Sequence, residues 1–294
     1  MTENKKQKTA SQGVAALSLL LLLSTPAHAE LVAAASISSG ATNLQMVNYG
    51  PPNGDPVSAA VHLQANAHAT AAASYGVVKA TTNGTISSGS VSGGAGAKFT
   101  DALLLSNSTL TGKQGLLTLA YYFDYDQSVA SSGAGSSNGS LSFLAWAGSN
   151  YSWYMDYVST DTAGYTMYEY RDPSGTGRTY GVPNQNYLYV TTGFTWGHFI
   201  HTSFEVNTSV GSYVPFNAAG TGSFDFDAGH SGYWAGIVSA SADGETVTDY
   251  DLTSRSGTDY SQSFVPANEV PEPGTVPALL LGLGILGMLR LRKR

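Results

Sequence analysis

Cysteine is missing from all 294 residues. Disulfides, thiol catalysis and Cys-ligated zinc are thereby excluded, and stability must come from a packed core. Charge is scarce as well: Asp, Glu, Lys and Arg supply 11% of the chain. That argues against a helical bundle, which would be rich in Glu, Lys, Leu and Arg. No heptad or amphipathic helical pattern of useful length occurs between residues 30 and 268. Long apolar runs are confined to the two ends, and neither reaches the roughly 20 residues of a simple membrane span.

What is present is Gly, Ser, Thr, Ala and Tyr, a mix suited to exported β proteins. Between 30 and 268 there are six basic and seventeen acidic residues, a net charge of −11. Such a body repels nucleic acid and anionic membrane, so neither is expected as a partner.

The N-terminus reads as a signal peptide. Lys5, Lys6 and Lys8 form a positive region, and Val14–Leu23 is an apolar stretch too short to span. Ser24-Thr25-Pro26 breaks it, and Ala27-His28-Ala29 is a small-x-small site. Cleavage is expected between Ala29 and Glu30, after delivery to the Sec export machinery.

The C-terminus has three ordered parts. Val270-Pro271-Glu272-Pro273 is extended, because each proline fixes φ and disfavours helix in the residue before it. Val276–Leu289 is apolar all round and belongs in lipid or a deep core. It would measure about 21 Å as a helix, against a hydrocarbon core of about 30 Å. Snorkelling of Arg290 and Arg292, with local thinning, stretches the expected membrane helix over about 276–291. Arg290, Arg292, Lys293 and Arg294 form a basic stop cluster that stays cytoplasmic and leaves the body outside. The expected organisation is therefore a signal peptide at 1–29, a β domain at 30–268 and a sorting tail at 269–294.

Pro271, Glu272 and Pro273, the short apolar helix and the closing basic cluster together resemble the PEP-CTERM sorting signal of Gram-negative bacteria that make extracellular polysaccharide. The resemblance implies recognition by exosortase, an integral-membrane, cysteine-dependent processing enzyme. It also implies removal of the tail at or near the motif. The chain would pass through an inner-membrane intermediate to the cell surface or extracellular matrix. The resemblance covers only the last two dozen residues and says little about the body.

Within the body, residues 31–60 read as irregular, with a turn-rich Gly50–Pro56. Thereafter about a dozen short strand candidates alternate with turns, which predicts an all-β sandwich or jelly-roll-like domain. Asn83-Gly84 reads as a hairpin turn. Ser87–Gly96 and Ser131–Ser140 read as Ser/Gly-rich connecting segments. A loose Gly…Phe…Asp echo links the stretch from Gly96 to Asp101 with that from Gly220 to Asp225.

Chemistry is thinly represented. Gly135-Ser136-Ser137-Asn138-Gly139 matches the nucleophile-elbow pattern but lacks the strand before it and the helix after it. His198 and His201 fall on opposite faces if they share a strand, which disfavours joint zinc binding. His62 and His68 read as solvent-facing or structural. Asp124/Asp126, Asp225/Asp227 and Asp249/Asp251 each put two carboxylates on one strand face. That spacing suits either ordinary polar-out alternation or structural Ca²⁺. No metal site or cofactor is otherwise expected, and no enzyme.

The aromatic stretch is richer. Tyr151 and Trp153 share a strand face while Tyr154 takes the other. Their flat faces and polar edges suit both cross-strand packing and stacking on sugar rings. The sequence thus points to an exported structural or adhesive protein of the cell surface or exopolysaccharide matrix. A glycan-binding module of the biofilm matrix is the alternative, and a secreted hydrolase the more distant one.

Overall fold

The computed structural model describes residues 29–50, 55–63, 66–160, 166–170 and 186–266. Ala27, the sorting motif, the expected membrane helix and the basic cluster lie outside these residues. The chain divides into two units, Met1–Phe264 and Val265–Arg294, and every strand belongs to the first.

In chain order the strands are β1 (Glu30–Ser39), β2 (Thr42–Gly50), β3 (Val57–Leu63), β4 (Ala67–Ser74), β5 (Val77–Ile86), β6 (Gly89–Ser106), β7 (Gln114–Phe123) and β8 (Asp126–Gly133). They continue with β9 (Ser136–Ala147), β10 (Asn150–Thr160), β11 (Thr166–Tyr170), β12 (Tyr187–Thr195), β13 (Phe199–Val214), β14 (Gly220–Ala242), β15 (Glu245–Thr246) and β16 (Asp251–Ser254). The first sheet runs β11-β10-β9-β13-β6-β1-β2, with β16 added to β6. The second runs β12-β7-β14-β5-β4-β3, with β8 and β15 added to β14. The two pack face to face as a sandwich, the class read from the sequence. The loose Gly…Phe…Asp echo falls on β6 and β14, the long strands of the two sheets.

Period-two alternation builds the core. On β9 the odd-numbered side chains from Ser137 to Ala147 are buried and the even-numbered ones are partly or fully exposed. One part of the interior is alanine: Ala33 and Ala35 on β1, Ala69, Ala71 and Ala73 on β4, Ala95 and Ala97 on β6. Small side chains let the sheets close up there, and Cα atoms of β1 lie within 8 Å of those of β3 and β4. That is tighter than the usual sheet separation of about 10 Å. Another part is aromatic. Tyr121 stacks on Phe204 at 4.8 Å, Phe123 on Phe143 at 4.7 Å, and Trp234 meets Tyr121 edge-on at 5.5 Å. Two hydroxyl pairs cross the gap and satisfy each other, Thr82 with Thr208 at 2.6 Å and Tyr121 with Thr202, while Ser137 and Ser212 bond at 2.9 Å between neighbouring strands of the first sheet.

Three expectations are corrected. The stretch 31–60 is mostly strand, because its small residues belong to the tight part of the core. Ser87–Gly96 and Ser131–Ser140 are chiefly strand as well, in β6, β8 and β9. Bulk would not fit there: a Cβ on Gly93 would sit 2.7 Å from the Ser36 carbonyl oxygen, and one on Gly139 would run into the Phe226 ring. Asn83-Gly84 is no turn but lies within β5, where a Cβ on Gly84 would meet Phe224 at 2.8 Å. Glycine there serves close packing rather than chain reversal.

After β15 the chain is strapped back onto the sandwich. Asp251–Ser254 pairs with Leu103–Ser106. Buried Asp101 accepts bonds from the Ala102 and Ser256 amides at 2.7 and 3.2 Å, and from the Ser256 hydroxyl. Trp234 Nε1 donates to the Tyr260 carbonyl at 3.1 Å, and Phe264 N–H donates to the Trp234 carbonyl at 2.9 Å.

Candidate functional site

The outward face of the first sheet carries the sequence-selected aromatics. Gly148, at φ +59°, helps reverse the chain between β9 and β10 and sets their register. Tyr151 falls opposite Trp146, and Trp153 opposite Leu144. The Trp146 and Tyr151 rings lie 4.9 Å apart, and Tyr151 is 39% exposed. The same rows continue across β13 and β6. Trp146 is followed by Ser203 and Thr100, and Leu144 by Glu205 and Lys98. An aromatic margin thus leads onto a sunken polar strip. Trp146 and this strip escaped sequence reasoning, since only strand register places them beside Tyr151 and Trp153.

Tyr154 is elsewhere. It faces into the sandwich, 4.8 Å from Phe123, and its hydroxyl bonds that of Tyr125. Tyr125 also donates to Asp156 Oδ2 at 2.8 Å. Burial raises the Asp156 pKa, and the Tyr125 bond opposes it. Tyr154 is a packing residue rather than part of the outward face.

Glu205 is the unusual group of the polar strip, only 6% exposed although it points outward. Asn207 Nδ2 donates to its Oε1 at 2.6 Å. Burial pushes its pKa up, and the Asn207 bond and the Lys98 charge offset this only in part. The native state therefore holds the proton more tightly than the unfolded chain. Stability is lost as pH rises from the ordinary carboxylate range through the raised pKa, and stays lost above it. Glu205→Gln is expected to raise Tm near pH 7 by roughly 2–4 °C, as about 1 kcal/mol would in a domain of this size. The gain should shrink toward pH 4, as thermal melts across pH would show. Nearby, Thr100 Oγ1 and His201 Nδ1 are buried with no hydrogen-bond partner among the described residues. Burial and Arg255 lower the His201 pKa.

The other candidates disperse. Ser137 is buried on β9, its hydroxyl bonded to Ser212 and to the Ala130 carbonyl at 3.2 Å, so it presents no exposed nucleophile. His198 sits in the turn before β13, not on the strand with His201. Asp225 and Asp227 face outward on β14, with Asp126 paired beside Asp227. Asp227 Oδ1 accepts from Gly229 N–H at 2.6 Å and Thr81 Oγ1 at 3.0 Å. Burial, Asp227 and Asp126 raise the Asp225 pKa, and His68 opposes them. Among the described residues no three His, Asp or Glu side chains converge as metal ligands would. Tyr187 and Tyr189 belong to the outward face of the second sheet, where Tyr187 meets Tyr122 at 5.2 Å and Tyr122 meets Tyr233 at 6.3 Å.

Comparison with known proteins speaks to the tail alone. No curated protein and no solved structure matches the chain. Residues 269–294 match the family model described as the PEP-CTERM protein-sorting motif. The chain therefore carries a PEP-CTERM protein-sorting motif at 269–294, a signal of the kind processed by exosortases, and its described body is an all-β sandwich.

Proposed function

We propose that the chain is exported by the Sec machinery, cut after Ala29 and held at the inner membrane by residues 276–291. An exosortase-type enzyme then processes it near Pro271-Glu272-Pro273. The body remains at the cell surface or in the exopolysaccharide matrix of a Gram-negative cell, as a structural or adhesive module without cofactor or turnover. The observation that carries this reading is the sorting motif at 269–294. The expected N-terminal cut is compatible with it, because Glu30 is the first residue of β1 and no strand would be lost, only the buried Ala29 that precedes it.

A second reading, glycan binding, is favoured by the Trp146–Tyr151 pair beside Trp153 and the polar strip. Rings there would stack on sugar faces while Lys98, Ser203 and Asn207 met hydroxyls. One experiment separates the two. The wild-type protein is expected in the extracellular polysaccharide fraction, and Trp153→Ala is expected to leave it if stacking holds the protein there. Retention of both proteins would favour a structural role without this site. Absence of both from the fraction would sink the two readings together.

A further inference from the structure

We infer that β2 is a self-association edge, pairing antiparallel with β2 of a second copy of this chain. It ends the first sheet, and among the described residues no strand pairs with its outer side. Ser39 pairs with Thr42, leaving the two-residue loop Gly40-Ala41 with Gly40 at φ +56°. A two-residue hairpin closes on a hydrogen-bonded pair, so Thr42, Leu44, Met46, Asn48 and Gly50 bond to β1. The main-chain groups of Asn43, Gln45, Val47 and Tyr49 therefore point to the open edge.

Sheet edges are usually defended by charge, proline or a bulge. Thr42–Gly50 contains no Lys, Arg, Asp, Glu or Pro, and its register with β1 runs unbroken through nine pairs. The edge of the other sheet beside it is partly capped: Asn48 Nδ2 donates to the Ser58 carbonyl of β3 at 2.5 Å. Met46 and Tyr49 stand 43% and 59% exposed.

A second copy fits because the strand is self-complementary. A two-fold axis through Met46 sets Gln45 opposite Val47 and Asn43 opposite Tyr49, each polar residue beside an apolar or aromatic one. The four open residues of each copy would then exchange about eight N–H···O bonds. Each body carries a net charge of −11, but none of it lies on this strand. One added strand covers less than the roughly 1,200 Å² of a stable interface, so the pairing is weak and favoured by crowding. Salt strengthens it by screening the repulsion between bodies.

The absence of cysteine provides the test. Met46 would face its counterpart across a non-hydrogen-bonded pair, with Cα atoms about 4.5 Å apart, within disulfide reach. In the detergent-purified full chain, Met46→Cys under mild oxidation is expected to give disulfide-linked dimer. The yield should exceed that of Tyr189→Cys, exposed on β12, by roughly fivefold and should rise with salt. Adding Val47→Pro or Val47→Lys, neither of which breaks a bond to β1, should reduce the yield to the control level with Tm retained. Equal yields from Met46→Cys and Tyr189→Cys, or indifference to both Val47 changes, would overturn the inference. These readouts do not depend on export, processing or glycan binding.

Discussion

Trp234→Ala is expected to cost about 3–5 kcal/mol of folding stability, the range for emptying a large aromatic site. Trp234 is wholly buried on β14, edge-on to Tyr121 at 5.5 Å and to Tyr260 at 5.0 Å. Its removal opens a cavity in the aromatic part of the core. It also strips the Tyr260 carbonyl of the indole N–H that it accepts. Trp234→Phe, which keeps most of the area and loses that bond, should cost clearly less. Urea titration of the two variants gives the comparison directly. The loss should concentrate in the strap, because Tyr260 packs against the Trp234 indole and accepts its N–H, and Phe264 in turn packs on Tyr260. Limited proteolysis should therefore open the alanine variant first within residues 251–264. A cut there parts the sandwich from its sorting signal, so a stability defect would appear in the cell as a delivery defect. Equal losses for both variants, with the strap still protected, would contradict this account.

Replacement of Pro271-Glu272-Pro273 by three alanines is expected to abolish processing and leave the uncut chain in the membrane fraction. Alanine favours helix, whereas proline fixes φ and disfavours helix in the residue before it, so the substitution removes the local chemistry on which the proposed recognition depends. Without that chemistry a processing enzyme has nothing to grip, while the apolar run and basic cluster still anchor the chain. Intact-mass measurement of the protein, in hosts with and without exosortase, reads the result. Wild type should lose its C-terminal segment only where the enzyme is present, and the alanine variant in neither host. Unchanged release of the variant would refute the role given to the motif.

How much of the fold was legible in the residues differs from one element to the next. Leu141, Phe143 and Ala145 alternate with Ser142 and Leu144, a period that marks the second half of β9, whereas its first half from Ser136 to Ser140 reads as a Ser/Gly-rich connection. Gly93 and Gly139 misled because glycine in sequence signals a loop, whereas here a missing side chain makes room, at Gly93 for the Ser36 carbonyl of neighbouring β1 and at Gly139 for the Phe226 ring of the facing sheet. The opposite orientations of Tyr151 and Tyr154 were readable from parity alone. Trp146 beside Tyr151, the sunken Glu205 and the buried Thr100 were not, because each depends on which strand lies next to which.

By itself the sequence revealed the sorting motif and the class of fold. The Pro-Glu-Pro motif, the apolar run after it and the basic terminus are local patterns, so their order can be read without knowing the fold. Period-two alternation without cysteine or helical pattern likewise left only a β core. Tertiary structure alone decided the rest: which sheet each strand joined, which aromatics faced outward, and which edge stayed open at β2. Those outcomes depend on pairing between strands far apart in sequence, where hydrogen bonds and packing are shared and no local pattern carries the address.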